Sequence, residues 1–248
     1  MAKTITYKTP GGDVQNLYLD ILQQPHTLIA GTTGSGKSCV INGIIYTAMT
    51  CRTPATCRFV LIDPKHTELV AYKNLPHTWA YCNEPNDARG YLKSLITEMQ
   101  GRYKRAEKKG LRKSDEFDVY VIIDELSDLV LADREIVDLL GKIARVGRAA
   151  NIHLIAATQC PNRKTLSAEF SANCPARLAL RCRDNIESRQ IIGNSSAVDL
   201  PMYGQAFYIS PLYRKQVLCT IPLYSDEVLN DRIQYWLKQT PRRHFWKK

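Results

Sequence analysis

One string constrains this chain more than any other: Gly31-Thr32-Thr33-Gly34-Ser35-Gly36-Lys37-Ser38. It follows an apolar run at 27–30 that reads as a short strand, and it opens a helical pattern over 37–49. Three glycines between strand and helix let the backbone curl with its N–H groups pointing inward, where the helix N-terminus also favours an anion. The spacing GxxxxGK[ST] asks Lys37 to reach the β- and γ-phosphates of a nucleotide and Ser38 to give its hydroxyl to a metal. The expected ligands are ATP and Mg²⁺.

The rest of the pattern suits such a loop. Near-continuous apolar runs at 58–63, 119–124, 153–158 and 176–182 read as strands buried on both faces, and they alternate with helical patterns at 87–109, 135–150 and 186–192. That alternation specifies an α/β, three-layer P-loop NTPase fold, a mostly parallel sheet flanked by helices. Residues 205–210 and 215–221 flank Pro211-Leu212-Tyr213-Arg214 like a hairpin, and a helix follows over 226–238. With 248 residues, no repeat and no dividing linker, the expected organisation is one ATPase domain over 1–248. Its core spans about 26–210, and 211–248 add a hairpin strand, a helix and a basic tail.

A Mg²⁺ site needs oxygen ligands beyond Ser38. The run Val119-Tyr120-Val121-Ile122-Ile123-Asp124-Glu125 places two acids at the end of a buried strand. Asp124 is the expected metal partner, and Glu125 the group that orients and polarises the attacking water. The alternative, that both acids cap a helix starting at Leu126, is compatible with those roles. Thr158 and Gln159 end the next apolar strand, where polar groups could sense the γ-phosphate. Arg145 and Arg148 lie three residues apart on a helix whose apolar stripe is Ile136, Leu140 and Ile143. They form either a solvated basic face or a device that reaches into a neighbouring subunit's site.

The net charge of +10, from 34 basic against 24 acidic residues, favours a polyanionic partner. The segment from Lys104 to Lys113 is dense in Lys and Arg, either a solvated helix end or a DNA contact. Eight cysteines show no CxxC pair and no zinc-finger spacing, which reads as reduced thiols. The N-terminus lacks the apolar core of a signal peptide, and no apolar run is long enough to cross a bilayer. A cytoplasmic protein is expected, with no integral membrane segment.

Together the motifs resemble the FtsK/SpoIIIE family of DNA translocases, hexameric ring motors with a RecA-like core. The resemblance rests on Leu28-Ile29-Ala30 with the phosphate loop, Ile62-Asp63-Pro64-Lys65 with Glu68-Leu69, and the run from Val121 through Asp124-Glu125-Leu126-Ser127-Asp128-Leu129. It continues through Arg148-Ala149-Ala150-Asn151-Ile152-His153-Leu154, Ala157-Thr158-Gln159, Asn173-Cys174-Pro175-Ala176-Arg177 and Ser188-Arg189. It implies nucleotide contacts from Gly31, Thr32, Thr33, Gly34, Ser35, Gly36, Lys37, Ser38, Thr158 and Arg189. It implies Mg²⁺ on Ser38 and Asp124, and catalysis by Glu125, Lys37, Arg148 and Gln159, with Arg148 preferred over Arg145 as the arginine acting across a subunit boundary. Arg163 and Lys164 become the expected contacts to double-stranded DNA in a ring's channel, electrostatic and sequence-blind.

The chain departs from the family pattern at Cys160, where Arg is usual, and at Gly204-Gln205, where Gly-Asp is usual. Only about thirty residues precede the phosphate loop, so the expectation is a motor without the additional domains of larger members. Related ATPases drive conjugative DNA transfer or type VII protein secretion, and a non-translocating ATP-dependent adaptor is a third possibility. The tail Arg242-Arg243-His244-Phe245-Trp246-Lys247-Lys248 is either a nucleic-acid or partner contact or a solubilising end.

Overall fold

The computed structural model describes residues 6–8, 14–161, 166–213, 215–221 and 223–239. Two short strands, β1 (Thr6–Lys8) and β2 (Val14–Asn16), pair antiparallel and lead into helix α1 (Leu17–Gln23). The alternating part follows: β3 (His26–Ala30), α2 (Lys37–Cys51), β4 (Cys57–Ile62), β5 (Thr78–Cys82), α3 (Pro85–Lys108), β6 (Asp118–Ile123), α4 (Leu126–Ala132) and α5 (Glu135–Val146). Next come β7 (Ile152–Thr158), α6 (Ala168–Ala172), β8 (Ala176–Ala179), α7 (Asn185–Ile192), β9 (Gln205–Ile209), β10 (Val217–Thr220) and α8 (Asp226–Gln239).

Eight strands form one sheet in the order β10-β9-β8-β3-β7-β6-β4-β5. From β8 to β5 all neighbours are parallel, and the expected hairpin adds β9 and β10 antiparallel at one edge. Alternate residues of each strand face opposite sides. Leu28, Val60, Val121 and Leu154 pack on α3 and α5 through Leu92, Leu95, Ile136 and Leu140. Ile29, Leu61, Ile122 and Ile155 pack on α1 and α2 through Ile21, Ile41, Ile44 and Ile45. Because the central strands are buried on both faces, they had to be continuously apolar, which is the signal that made them legible.

Two elements end earlier than expected. The helix over 135–150 stops at Val146 and gives way to a 3₁₀ turn, Gly147–Ala150. There Gly147 lies so close to the next strand that a Cβ would come within 2.8 Å of the Ile152 carbonyl oxygen. Asn151, at φ 54°, then turns the chain into β7. Arg145 and Arg148 are therefore not on one helix face. The strand over 176–182 stops at Ala179. The Leu180 N–H still donates to the Ala30 carbonyl, but the Arg181 carbonyl accepts from Thr32, so the chain leaves the sheet to line the phosphate loop. A parallel sheet gathers all its strand C-termini at one edge, and that edge carries the site.

Candidate active site

The phosphate loop is shaped before any ligand arrives. Gly34 and Gly36 adopt left-handed backbone at φ 77° and 99°, and Gly31 has no room for a side chain, since a Cβ would lie 2.8 Å from that of Leu180. The Lys37 ammonium is tucked under the loop and donates to the carbonyls of Gly31 (2.8 Å) and Thr32 (3.1 Å). Burial lowers its pKa, and the nearby Glu125 and Asp124 carboxylates oppose that shift. The Ser35 hydroxyl is buried with no partner among the described residues, as a group awaiting a ligand would be. Ser38 sits half-buried in the first turn of α2.

Two strands away, β6 ends on the acids. The Asp124 carboxyl is pushed up to about 7, first by burial and then by the carboxylates of Glu68, Asp63 and Glu125, with Lys37 pulling it back. Asp63, Glu68, Asp124 and Glu125 outnumber the two ammoniums beside them, Lys37 and Lys65, and a divalent cation held by Ser38 and Asp124 would fit that deficit. Among the described residues no group of three or more His, Cys, Asp and Glu side chains is placed to hold a metal ion by itself.

Strand β7 lies between β3 and β6 and brings its own end to the same place. Thr158 is fully buried, and its hydroxyl donates to Glu125 Oε1 at 3.0 Å. The Gln159 backbone N–H donates to both Glu125 oxygens, at 3.0 and 3.2 Å. The Gln159 side chain faces the loop, its Oε1 accepting from Thr33 Oγ1 at 2.6 Å. Thr158 thus braces Glu125, while Gln159 bridges Glu125 and the phosphate loop.

Three contributors carried no assigned role in the sequence reading. Lys65 lies 3.7 Å from Glu125 Oε2 and 3.4 Å from Asp128. Asp63, fully buried, accepts from the backbone N–H groups of Glu68 and Leu69 and closes the turn after β4. Ser127, on α4, bonds both the Thr158 hydroxyl and the Cys160 carbonyl. The Asp63-Pro64 pair is a turn signal that marks the first two, whereas nothing in the pattern singles out Ser127.

Arg148 is elsewhere. It is exposed on the 3₁₀ turn before β7, at the sheet's opposite edge. β7 is seven residues long, which puts roughly 20 Å between Arg148 and the strand end that carries Thr158. Arg189 is exposed on α7, outside the set of contacts that build the loop. Arg163, Lys164 and the tail from Arg242 to Lys248 lie outside the described residues.

The sequence profile of the FtsK/SpoIIIE family matches residues 9–120, which include the phosphate loop. DNA translocase FtsK of Rhizobium meliloti is 32% identical across 92% of this chain. The FtsK 1 translocase of Neisseria meningitidis serogroup B is 30% identical across 90% of it. The chain contains an FtsK/SpoIIIE-family motor domain. It spans about a third of those relatives' length, 30% and 32% respectively. Solved structures give the same fold for this FtsK/SpoIIIE domain. The cytoplasmic domain of the Thermomonospora curvata type VII secretion ATPase EccC superposes with TM-score 0.78 at 21% identity, over 99% of this chain and 32% of that one. The pCW3 conjugation coupling protein TcpA, in its monomer form with ATPgS, gives TM-score 0.76 at 21% identity, over 93% of this chain and 69% of that one. The domain is of the P-loop ATPase class, and no helix among its described residues is long and apolar enough to cross a membrane.

Proposed function

We propose that this chain is the ATP-hydrolysing motor of a double-stranded DNA translocase, working in the cytoplasm as a homo-oligomeric, hexameric ring. The observation that carries the cargo assignment is its 30–32% identity to DNA translocases along nine-tenths of its length, and the charge of +10 supports it.

In the proposed reaction Lys37 leaves its carbonyl partners for the β- and γ-phosphates, and the loop N–H groups cradle the same oxygens. Mg²⁺ on Ser38 and Asp124 would neutralise phosphate charge. Glu125, held by Thr158 and the Gln159 N–H, accepts a hydrogen bond from the attacking water. The water oxygen bonds to the γ-phosphorus as the bond to the ADP oxygen breaks, and the water proton passes through Glu125 to solvent. Gln159 touches both Thr33 and Glu125, so it registers whether a γ-phosphate separates them. Arg148, too far from its own loop, supplies its charge to the next subunit's nucleotide. Arg189 is proposed to lie near nucleotide or DNA, and Arg163 and Lys164 to face DNA in the channel.

ATP hydrolysis measured with and without DNA at several protein concentrations tests this. DNA should accelerate hydrolysis, Lys37→Ala should abolish it, and Arg148→Ala should abolish it while ATP still binds. An ATPase stimulated by a secretion-signal peptide and indifferent to DNA would overturn the cargo assignment.

A further inference from the structure

The basic segment that ends at Lys113 finds no use in the reaction above, yet the fold delivers it to Arg148. Part of it is paired: Arg105 with Glu98 and Glu116, and Lys109, just past the helix end, with Asp115. Lys113, on the loop after α3, is exposed and has no carboxylate partner among the described residues.

That loop is fastened to the Arg148 turn. The Ser114 N–H donates to the Ala149 carbonyl at 2.8 Å. The Asn151 side-chain amide donates to the carbonyls of Ser114 (3.0 Å) and Glu116 (2.7 Å). Arg102, completely buried, donates from one nitrogen to the carbonyls of Phe117 and Ala150, both at 2.8 Å, so it holds the loop and the turn at once. Such over-determination is unusual for a surface loop with no task.

Lys113 and Arg148 both line two adjoining cavities at this edge, of about 580 and 530 Å³. Other cations face these cavities, but Arg145 is bound to Glu169 and Arg52 to Asp118. Lys113 and Arg148 are the lysine and arginine lining these cavities without a carboxylate partner among the described residues, and the backbone segments that carry them are hydrogen-bonded to each other.

We infer that Lys113 is a second cation presented with Arg148 to the terminal phosphates of the nucleotide bound by the neighbouring copy. This rests on the reading of Arg148 given above. The two side chains are complementary: the guanidinium fork meets two phosphate oxygens in one plane, and the ammonium, a mobile point charge, follows negative charge as it shifts toward the leaving oxygen.

Lys113→Met should lower kcat in the assembled, DNA-stimulated protein by about 100-fold, the usual cost of losing one transition-state donor. Binding of a fluorescent ATP analogue to dilute protein should be unchanged, and Lys113→Arg should restore most of the rate. Mixing Lys113→Met, slowed alone, with Lys37→Ala, inactive alone, should raise activity above that of either, because the second lends its Lys113 to the intact loop of the first. An unchanged kcat in Lys113→Met, or no recovery on mixing, overturns the inference. Loss of DNA stimulation alone, with DNA-free hydrolysis intact, overturns it in favour of a DNA contact. Arg148→Ala is run in parallel: if it is dead while Lys113→Met is normal, only Lys113 is excluded, and if it keeps its rate, the reading of Arg148 itself falls.

Discussion

Glu125 has both carboxylate oxygens engaged before any water arrives, through Thr158, the Gln159 N–H and the ammonium of Lys65. Its aim is set by these bonded neighbours, of which Thr158 is buried, an arrangement that would keep a water-orienting group within the narrow geometry catalysis needs. Thr158→Val keeps the shape and removes the hydroxyl. Steady-state kinetics should show kcat reduced about tenfold at unchanged KM, and unfolding should show a loss of about 1–3 kcal/mol as Ser127 and the Cys160 N–H lose their shared partner. A rise in KM with full kcat would place Thr158 in ground-state binding instead. At this scale residue type and spacing singled out Lys37, Asp124 and Glu125, which the fold brings together. The sequence was silent on Ser127, since a serine three residues past an acid carries no signal until two strands and a helix converge.

Among the elements, β7 links the two edges of the sheet, with Arg148 just before its first residue and Thr158 at its last. The central strands were legible because burial on both faces enforces uninterrupted apolar runs. β5 was not, since Thr-Trp-Ala-Tyr-Cys is short and mixed, and α1 was not, since seven residues give barely two turns of periodicity. The early end of α5 was also hidden, because it depends on how closely Gly147 approaches Ile152 and not on helix propensity.

The packing of α1 on α2 supplies a test of this kind. Gly43 would be a poor choice inside a helix, yet a Cβ there would lie 2.1–2.4 Å from the Tyr18 ring. Gly43→Ala gains about 1 kcal/mol of helix propensity but must displace α1, so denaturant unfolding should show a net loss of about 1–3 kcal/mol. Arg102→Met, which leaves the carbonyls of Phe117 and Ala150 without their donor, should cost about 3 kcal/mol. It should also speed amide exchange in the Lys113 loop and the Arg148 turn.

For the molecule as a whole, acid is the sensitive direction. His26 accepts the Leu154 N–H on Nδ1 and is pushed down to about 3, first by burial and then by the neighbouring His153. His77, packed between Phe59 and Trp236, is pushed down to about 4, mainly by burial. The folded state favours the neutral form of both rings. Asp124, pushed up to about 7, binds its extra proton in the folded chain and offsets part of this, but for the two histidines the unfolded chain binds more protons below about pH 6.5, and their contribution to stability rises with pH there. It is complete above about 6.5 and is lost as pH falls toward 4, by up to about 1.4 kcal/mol per pH unit for each histidine. Thermal melts from pH 7 to 4 should show this slope, and His77→Phe should make it shallower. Because Trp236 on α8 stacks edge-on against His77 and donates to the Met49 carbonyl at 2.8 Å, tryptophan fluorescence should report the release of α8 over the same window.

If Arg148 acts on a neighbouring copy as proposed, the separation of the phosphate loop and Arg148 onto opposite edges of one sheet also decides who suffers from a damaged copy. Under the proposed reading, a chain with a broken phosphate loop would silence itself and still serve its neighbour, while a chain lacking Arg148 would keep a sound loop and silence someone else. In a cell carrying one chain with each defect and no normal chain, the two should therefore complement each other in part. The arginine defect alone should deepen when the altered chain is fused head-to-tail so that it always precedes a normal one.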